Sequence, residues 1–283
     1  MNNLDIVRAI QTNVAAALAE DIGVSLACDL TAQLIPAERT ARATLISREE
    51  AVLCGIPWFE ACFNALDPQA QIIWHAKEGE RIQANSLLCE IKGKARTMLS
   101  AERSALNFLQ LLSGTATATR RYVDAIAGTK AVIMDTRKTL PGLRIAQKYA
   151  VKIGGGENQR IGLFDGILIK ENHIAAAGGI RAALIAAQQK TQPGVTIQIE
   201  VESMAELQAA LDAGAKLILL DNFSVDQMRE AVRLTTKRAA LEASGGITFD
   251  KLRTIAETGV DRISIGSLTK HVRAVDLSLR IQA

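Results

Sequence analysis

Six short apolar runs in the second half of the chain, each ending in a polar or small residue, constrain the fold more than any other feature. In order, the runs are AVIMD, GILIK, VTIQIE, KLILLD, AALEAS and DRISIGS. From Lys170 onward, their ends fall at Glu200, Asp221, Ser244 and Gly266, at spacings of 30, 21, 23 and 22 residues. Such spacing suits repeated β-loop-α units with right-handed crossovers. It predicts a parallel α/β barrel, of which six strands are visible.

The segment from Asp135 to His173 concentrates positive charge at the ends of two of these runs. Four of its cations lie at the polar ends of these runs or beside a Gly-Gly-Gly turn, namely Arg137, Lys138, Arg160 and Lys170. Each cation alone is more typical of a solvated surface. Parallel α/β folds, however, bring the carboxyl ends of their strands to one edge, where binding sites lie. The pattern therefore predicts a site for a small polyanion.

Two glycine-containing motifs lie at the last two predicted strands. Residues 244–246 (SGG) precede a helix predicted to begin near Thr248, and residues 265–267 (IGS) close the final run. Free amides at a helix start favour phosphate, and barrels commonly bind phosphate at their last two strands. A plain turn explains either motif alone, but together they predict phosphate binding.

The first part of the chain has a different pattern. Apolar residues at 4, 7, 10, 14 and 18 predict an amphipathic helix ending near Glu20. Strands are predicted at 43–47, 71–76 and 86–91, and helices at 58–66, 95–112 and 115–126. Gly114 is predicted to end the long helix near a domain boundary. The KEGERI and LLCEIKG segments resemble half of a biotinyl or lipoyl hammerhead, but without a lysine at a hairpin tip they predict a structural role.

Composition allows a full core and gives little support to two classes of partner. The chain has 283 residues, 48% of them hydrophobic, enough for one large or two modest domains. Its net charge of +3 is spread without a basic run, and only 4% of residues are aromatic, which argues against nucleic-acid binding. No leader pattern and no apolar run near the ~20 residues of a membrane span are found. Cys28, Cys54, Cys62 and Cys89 lack Cys-x-x-Cys spacing, and are interpreted as core thiols in a reducing cytoplasm.

Six blocks of sequence resemble one enzyme family in both order and spacing. The blocks are DTRKTLPGLR, GGGENQRIGL, LIKENHI, IEVES, LLDN and SGGI. They closely resemble quinolinate phosphoribosyltransferase, the carboxylating nicotinate-nucleotide pyrophosphorylase of NAD biosynthesis, over nearly the whole chain. The resemblance implies an α/β fold of the type II phosphoribosyltransferase kind. Residues 1–113 would form an α/β sandwich rejoined by residues 269–283, and residues 114–268 an incomplete barrel of about seven strands.

The similar enzymes transfer the phosphoribosyl group of phosphoribosyl pyrophosphate to quinolinate and release the 2-carboxylate as CO₂. The resemblance implies that Lys138, Glu200 and Asp221 are catalytic, and that the two acids hold Mg²⁺ largely through substrate and water. The substrate-binding residues it implies are Arg103, Thr136, Arg137, Lys138, Gln159, Arg160, Lys170, His173, Glu200, Asp221, Ser244, Gly245, Gly246, Ile265, Gly266 and Ser267. It also implies a homodimer in which Arg103 reaches the active site of the neighbouring chain.

One position departs from the family pattern. Gln159 stands where similar enzymes usually have His, and Gln can donate a hydrogen bond but cannot carry charge or shuttle a proton. An acid-base role at this position is therefore in doubt. His173 is the nearest other imidazole and a candidate for supporting the site.

Three alternative functions stay open. A related barrel phosphoribosyltransferase could act on nicotinate or another aromatic acid without decarboxylation. A barrel lyase could use Lys138 or Lys170 as a Schiff base. A non-catalytic carrier could bind anions on the hammerhead-like part. The first alternative is disfavoured by the four cations that the resemblance assigns to quinolinate, namely Arg103, Arg137, Arg160 and Lys170. Glu200 and Asp221 argue against the third.

Overall fold

The computed structural model describes residues 2–192 and 194–282, which fall into two compact units. The sandwich unit comprises residues 1–120, 139–155 and 267–283, and the barrel unit comprises residues 121–138 and 156–266. Within the described residues, no helix combines the length and the apolar character needed to cross a membrane.

In the first half of the described chain several strands follow one another without an intervening helix, and strands and helices mostly alternate in the second half. The first half contains α1 Asn3–Ile22, β1 Thr40–Ser47, β2 Ala51–Val52, α2 Ile56–Leu66, β3 Gln71–Trp74, β4 Arg81–Ile82, β5 Leu87–Lys94 and α3 Ala95–Ala125. The second half contains β6 Val132–Met134, α4 Arg144–Ile153, β7 Gly166–Ile169, α5 Glu171–Ala177, α6 Ile180–Lys190, β8 Thr196–Val201, α7 Met204–Asp212, β9 Leu217–Asp221, α8 Val225–Thr235, β10 Ala240–Ser244, α9 Phe249–Ala256, β11 Arg262–Ser264, α10 Ser267–Lys270 and β12 Leu277–Gln282.

The sandwich unit is built on an antiparallel sheet whose strand order is β12-β1-β5-β3. Alternate residues of β1, namely Ala43, Leu45 and Ser47, are buried, as the period of two in a strand requires. The strands predicted at 43–47, 71–76 and 86–91 are confirmed as β1, β3 and β5. The C-terminal strand β12 pairs with β1 along its full length, so the end of the chain completes the sheet formed near its beginning.

Helix α1 begins with a capping box, in which Asn2 Oδ1 accepts from the Asp5 amide at 2.9 Å and Asp5 Oδ2 accepts from the Asn2 amide at 3.0 Å. The predicted stripe is only partly correct, because Val14 and Leu18 are buried whereas Leu4 is 66% and Val7 49% exposed. Ile6 and Ile10 are partly buried against the core, so the core covers one side of the first turns and leaves Leu4 and Val7 outside it.

The predicted break at Gly114 is wrong, because α3 continues through it from Ala95 to Ala125. A Cβ atom at Gly114 would lie 2.1 Å from the carbonyl oxygen of Arg273. The glycine therefore permits close approach of a neighbouring backbone segment instead of ending the helix. Sequence alone cannot distinguish these two uses of glycine inside an apolar helical pattern.

The cysteines agree with their predicted burial at three of four positions. Cys54, Cys62 and Cys89 are buried, and burial raises the pKa of the Cys62 thiol to about 12. Cys28 is exposed, because it closes the short 3₁₀ turn Leu26–Cys28, which has no buried residue. The prediction of a core thiol is wrong for this residue.

The barrel unit contains six parallel strands in the order β6-β11-β10-β9-β8-β7, which confirms the six predicted runs. At the β6 edge, Glu157 forms a further parallel bridge to Met134. Ile133, Ile199, Ile218, Ala243 and Ile263 are buried at the centres of five strands. Because the strands are parallel, the residues that follow them emerge at one edge of the sheet.

Candidate active site

Lys170 and Glu200 form an ion pair in the barrel unit. Lys170 directly follows β7, and Glu200 lies near the end of β8. The Lys170 Nζ atom lies 3.1 Å from Glu200 Oε2 and 3.3 Å from Oε1. The carboxylate is nearly buried, with 10% of its side chain exposed, whereas 45% of the lysine side chain is exposed. The pair therefore offers an accessible cation backed by a sheltered acid.

A second acid contributes to the electrostatics of Glu200. Burial raises the pKa of the Glu200 carboxyl, the hydrogen bond and charge of Lys170 oppose this effect, and the charges of Asp221 and Glu171 raise the pKa further. Asp221 ends β9. Two carboxylates whose charges interact make the region favourable for a developing positive charge.

Arg137 and Arg160 form a second cationic group. Burial lowers the pKa of Arg160, the charge of Arg137 lowers it further, and the charge of Asp165 opposes both effects. The Nη1 atom of Arg160 donates to the Gly166 carbonyl at 3.0 Å. Two guanidinium groups that repel one another, one of them partly desolvated, are well suited to an anion that neutralises both.

Thr136, Lys138 and Gly266 come together where β6 and β11 end. The Lys138 amide donates to Thr136 Oγ1 at 3.0 Å. A Cβ atom at Gly266 would lie 2.8 Å from Lys138 Cδ and 3.5 Å from Thr136 Oγ1. The aliphatic stem of the exposed Lys138 therefore lies against the glycine, where a larger residue would displace it.

The loop after β10 has two consecutive left-handed residues, Gly245 at φ +87° and Gly246 at φ +58°. A Cβ atom at Gly245 would lie 2.2 Å from Asn222 Oδ1, whereas one at Gly246 would meet no heavy atom within 4 Å. Asn222 Nδ2 in turn donates to Asp221 Oδ2 at 2.8 Å. The ends of β9 and β10 are thus tied together, and the backbone of Gly246 faces open space.

The loop leads into helix α9, whose N-cap residue Thr248 makes no side-chain bond to the helix amides. Phe249 is the first residue of the helix. The centroid of its ring lies 5.1 Å from that of Tyr122, in an edge-on contact, and 4.1 Å from Cζ of the Arg121 guanidinium. These contacts fix the start of the helix. The carboxylate of Asp250, in the first turn, is hydrogen-bonded to the Thr248 side chain and to the Asp250 backbone amide.

His173 supports the end of β7. Its Nδ1 atom accepts from the Lys170 amide at 3.0 Å, and the ring is exposed. The sequence block KENH is therefore a capped helix start that fixes the backbone of Lys170.

Gln159 donates its side-chain amide to Glu242 Oε1, and Gln198 donates to Glu242 Oε2 at 3.0 Å. Glu242 is fully buried in the middle of β10. Sequence reasoning missed both Glu242 and Gln198. The available signal was an acid flanked by apolar residues inside the run ALEAS.

Arg103 does not belong to the barrel unit. It is exposed on α3 of the sandwich unit and lines a cavity of about 400 Å³ together with Glu20, Asp21, Asn107 and Gly142. Ile265 and Gly266 end the barrel unit, and Ser267 begins α10. The barrel unit contains the other predicted site residues.

Comparisons with known proteins cover nearly the whole chain. Residues 29–113 match the family profile described as quinolinate phosphoribosyl transferase, N-terminal domain, and residues 115–280 match the corresponding C-terminal domain. A probable carboxylating nicotinate-nucleotide pyrophosphorylase of Bacillus subtilis is 42% identical over 262 residues, covering 93% of this chain and 90% of its own sequence. The carboxylating enzyme of Mycobacterium leprae is 40% identical over 280 residues, covering 96% of each chain.

Solved structures agree with the sequence relatives. The nicotinate-nucleotide pyrophosphorylase of Francisella tularensis superposes with a TM-score of 0.93 at 45% identity, covering 97% of this chain and 96% of its own. With both halves matched in sequence and the fold matched in structure, the chain belongs to the quinolinate phosphoribosyltransferase family.

Proposed function

We propose that this protein is the carboxylating nicotinate-nucleotide pyrophosphorylase that converts quinolinate and phosphoribosyl pyrophosphate to nicotinate mononucleotide, pyrophosphate and CO₂ in NAD biosynthesis. The observation that carries the proposal is the Lys170–Glu200 ion pair at 3.1 Å, in a barrel unit where the charges of Arg137 and Arg160 also interact. Quinolinate carries two carboxylates and therefore matches a site with several fixed cations.

Cationic side chains bind quinolinate. In this proposal Arg137, Arg160 and Lys170 bind its carboxylates, and Lys138 faces the reacting groups. Thr136 supports Lys138 through the backbone bond at 3.0 Å, and His173 supports Lys170 in the same way.

The two acids and the glycine-containing loops bind phosphoribosyl pyrophosphate. Glu200 and Asp221 contact the ribose hydroxyls, and the backbone at residues 244–246 binds the 5-phosphate. The open space beside Gly246 supports this assignment. Residues 265–267 supply the second part of the phosphate site.

The two acids also fit a Mg²⁺ ion bound mainly through substrate. Within residues 2–192 and 194–282, no group of three His, Cys, Asp or Glu side chains is arranged to hold a metal ion. Mg²⁺ at phosphate-handling sites usually takes one or two carboxylates, with water and substrate phosphate as its other ligands, which Glu200 and Asp221 can provide. When bound, the ion would neutralise charge on the pyrophosphate group.

The chemistry needs orientation and charge more than a strong base. The bond between the ribose anomeric carbon and pyrophosphate breaks, its electron pair leaves with pyrophosphate, and the lone pair of the pyridine nitrogen forms the new bond. Glu200 and Asp221 stabilise the positive sugar centre between these events. When CO₂ departs, its bonding electron pair stays on the adjacent ring carbon, where the positive charge of the quaternised nitrogen stabilises it, and a proton then binds that carbon in place of the carboxylate.

The active site is proposed to need two chains. Arg103 lies on the sandwich unit, exposed and beside a cavity, and in a homodimer it would extend into the quinolinate site of the neighbouring chain. We also propose a cytoplasmic location, supported by four cysteines that are all free thiols.

Parallel turnover assays with quinolinate and with nicotinate test the proposal. Each acid is incubated with phosphoribosyl pyrophosphate and Mg²⁺, and nucleotide formation is followed by chromatography. We expect nucleotide from quinolinate and little from nicotinate, because nicotinate leaves one set of cations unpaired. Preference for nicotinate would instead favour the non-decarboxylating alternative.

A further inference from the structure

Two fully buried carboxylates hold the segment 157–160 of the barrel unit. Asp135, which directly follows β6, accepts from Asn158 Nδ2 at 2.6 Å and from the Gln159 amide at 2.9 Å. Glu242, in the middle of β10, accepts from the Gln159 side chain. The backbone and the side chain of Gln159 are therefore fixed from two different strands, one residue before Arg160.

The contact between Gln159 and Glu242 is directional and does not come from tight packing. A cavity of about 350 Å³ lies beside it, lined by Gln159, Gln198, Glu242 and Arg262 among others. An apolar side chain of similar volume at position 159 would lose the hydrogen bond to Glu242 and could move into this cavity. A buried carboxylate also costs free energy unless such donors satisfy it.

Glu242 has a second donor in a different structural situation. Gln198 lies in β8, whose backbone is paired with β7 on one side and β9 on the other. Its position does not depend on its side-chain bond to Glu242. By contrast, the segment 157–160 lies outside the named strands and is held by the bridge between Glu157 and Met134 and by the bonds to Asp135. Removing the Gln159 side-chain contact should therefore loosen this segment at Gln159 and Arg160, whereas removing the Gln198 contact should not move β8.

Arg160 is held at its guanidinium by the Gly166 carbonyl, and its charge interacts unfavourably with that of Arg137. The position of its backbone therefore affects how close the two guanidinium groups lie. We infer that Glu242 is a positioning residue for the substrate site: through the side chain of Gln159 it holds Arg160 beside Arg137 before quinolinate arrives. This inference rests on the proposed function, and it gives Gln159 a positioning role in the barrel interior.

Two matched variants test this role, Gln159→Met and Gln198→Met. Each removes one hydrogen bond from the same carboxylate at nearly constant volume, so both should lower the unfolding temperature by a similar amount. Apparent KM values for quinolinate and for phosphoribosyl pyrophosphate are then measured. We expect Gln159→Met to raise the quinolinate KM roughly tenfold, the effect of losing about one charge-assisted hydrogen bond. We expect Gln198→Met to change it less than about twofold.

A third variant, Glu242→Gln, guards against poor folding of Gln159→Met and tests the coupling directly. It should raise the quinolinate KM in the wild-type background and add nothing in the Gln159→Met background. Equal quinolinate KM values for the two methionine variants, or additive effects of Glu242→Gln, would reduce the network to a structural role and overturn the inference. Failure of the wild-type protein to turn over quinolinate would instead refute the proposed function.

Discussion

At the scale of single residues, the candidate site is divided into groups that local sequence predicts and groups that it does not. Lys170, Glu200 and Asp221 could be predicted because each one ends or nearly ends an apolar run, and parallel strands share one edge. The bond between Gln159 and Glu242 could not. It joins residues 83 positions apart, and an acid inside a short run carries no local sign of its partner.

Removing either of two cations should weaken quinolinate binding. For Arg137→Ala and Lys170→Ala we expect losses of about 1.5–3 kcal/mol each, the usual contribution of a hydrogen bond to a charged group. Titration calorimetry with quinolinate measures the loss. The matched control is Arg229→Ala, which removes an exposed arginine paired with Asp226 on α8 and should leave the affinity unchanged. Unchanged affinity in both site variants would remove these cations from the quinolinate site.

Glu242 should make stability depend on pH. Burial raises the pKa of its carboxyl, and hydrogen bonds from Gln198, Ser264 and Gln159 and the charge of Arg262 oppose this only in part. Glu157, Arg160 and Asp261 are the other charged residues that line the adjoining cavity. As pH rises above the ordinary value of 4.5, the unfolded chain loses the Glu242 proton before the folded chain does. The folded state therefore loses stability until the pH passes the folded pKa.

Urea unfolding of the wild-type protein and of Glu242→Gln between about pH 5 and 8 checks this sign. The glutamine variant cannot ionise at this position, so its stability relative to wild type should improve as pH rises. A difference that stays constant over this range would mean that Glu242 has an ordinary pKa.

At the scale of secondary-structure elements, sequence patterns predicted strands better than the continuity of helices. All six apolar runs of the second half became parallel strands, because a short apolar run bounded by turns has few other buried solutions. The same patterns wrongly divide helix α3 in two at Gly114, because glycine is common at helix ends. The contact that explains this glycine comes from Arg273, which no local window contains.

Gly114→Ala should lower the free energy of unfolding, although helix propensity alone predicts an increase. In an open helix, alanine is favoured over glycine by up to about 1 kcal/mol. Here the added Cβ atom would clash with the backbone of Arg273, and we expect a destabilisation of about 1–3 kcal/mol in thermal or urea unfolding. Asn107→Ala, at an exposed position of the same helix, is the control and should be neutral or slightly stabilising. A stabilised Gly114→Ala variant would contradict the close approach.

At the scale of the whole molecule, periodicity predicted the parallel sheet but not the completion of the N-terminal sheet. That sheet receives β12 from the far end of the chain. Only the family resemblance predicted this pairing, because the sequence of a single edge strand does not indicate which strand it will pair with. The proposed homodimer is likewise not predictable from local sequence, since no residue near Arg103 in the chain identifies a partner.

Mixing two inactive variants tests the shared site. Arg103→Ala and Lys170→Ala should each be nearly inactive alone. After co-expression, about half of the dimers should be mixed, and one of the two sites in each mixed dimer is intact, so roughly a quarter of wild-type activity should return.

The control mixture combines Arg137→Ala with Lys170→Ala. Both of these residues belong to the barrel unit of one chain, so mixed dimers contain no intact site and activity should stay low. If mixed dimers of Arg103→Ala and Lys170→Ala form but remain inactive, Arg103 does not act across an interface.

The most direct test of the central claim is the stoichiometry of one reaction. Quinolinate labelled at the 2-carboxylate is incubated with phosphoribosyl pyrophosphate and Mg²⁺, and labelled CO₂, pyrophosphate and nicotinate mononucleotide are quantified together. The proposed function predicts equal amounts of all three products at every time point. Nucleotide and pyrophosphate without labelled CO₂, or CO₂ without nucleotide, would contradict it.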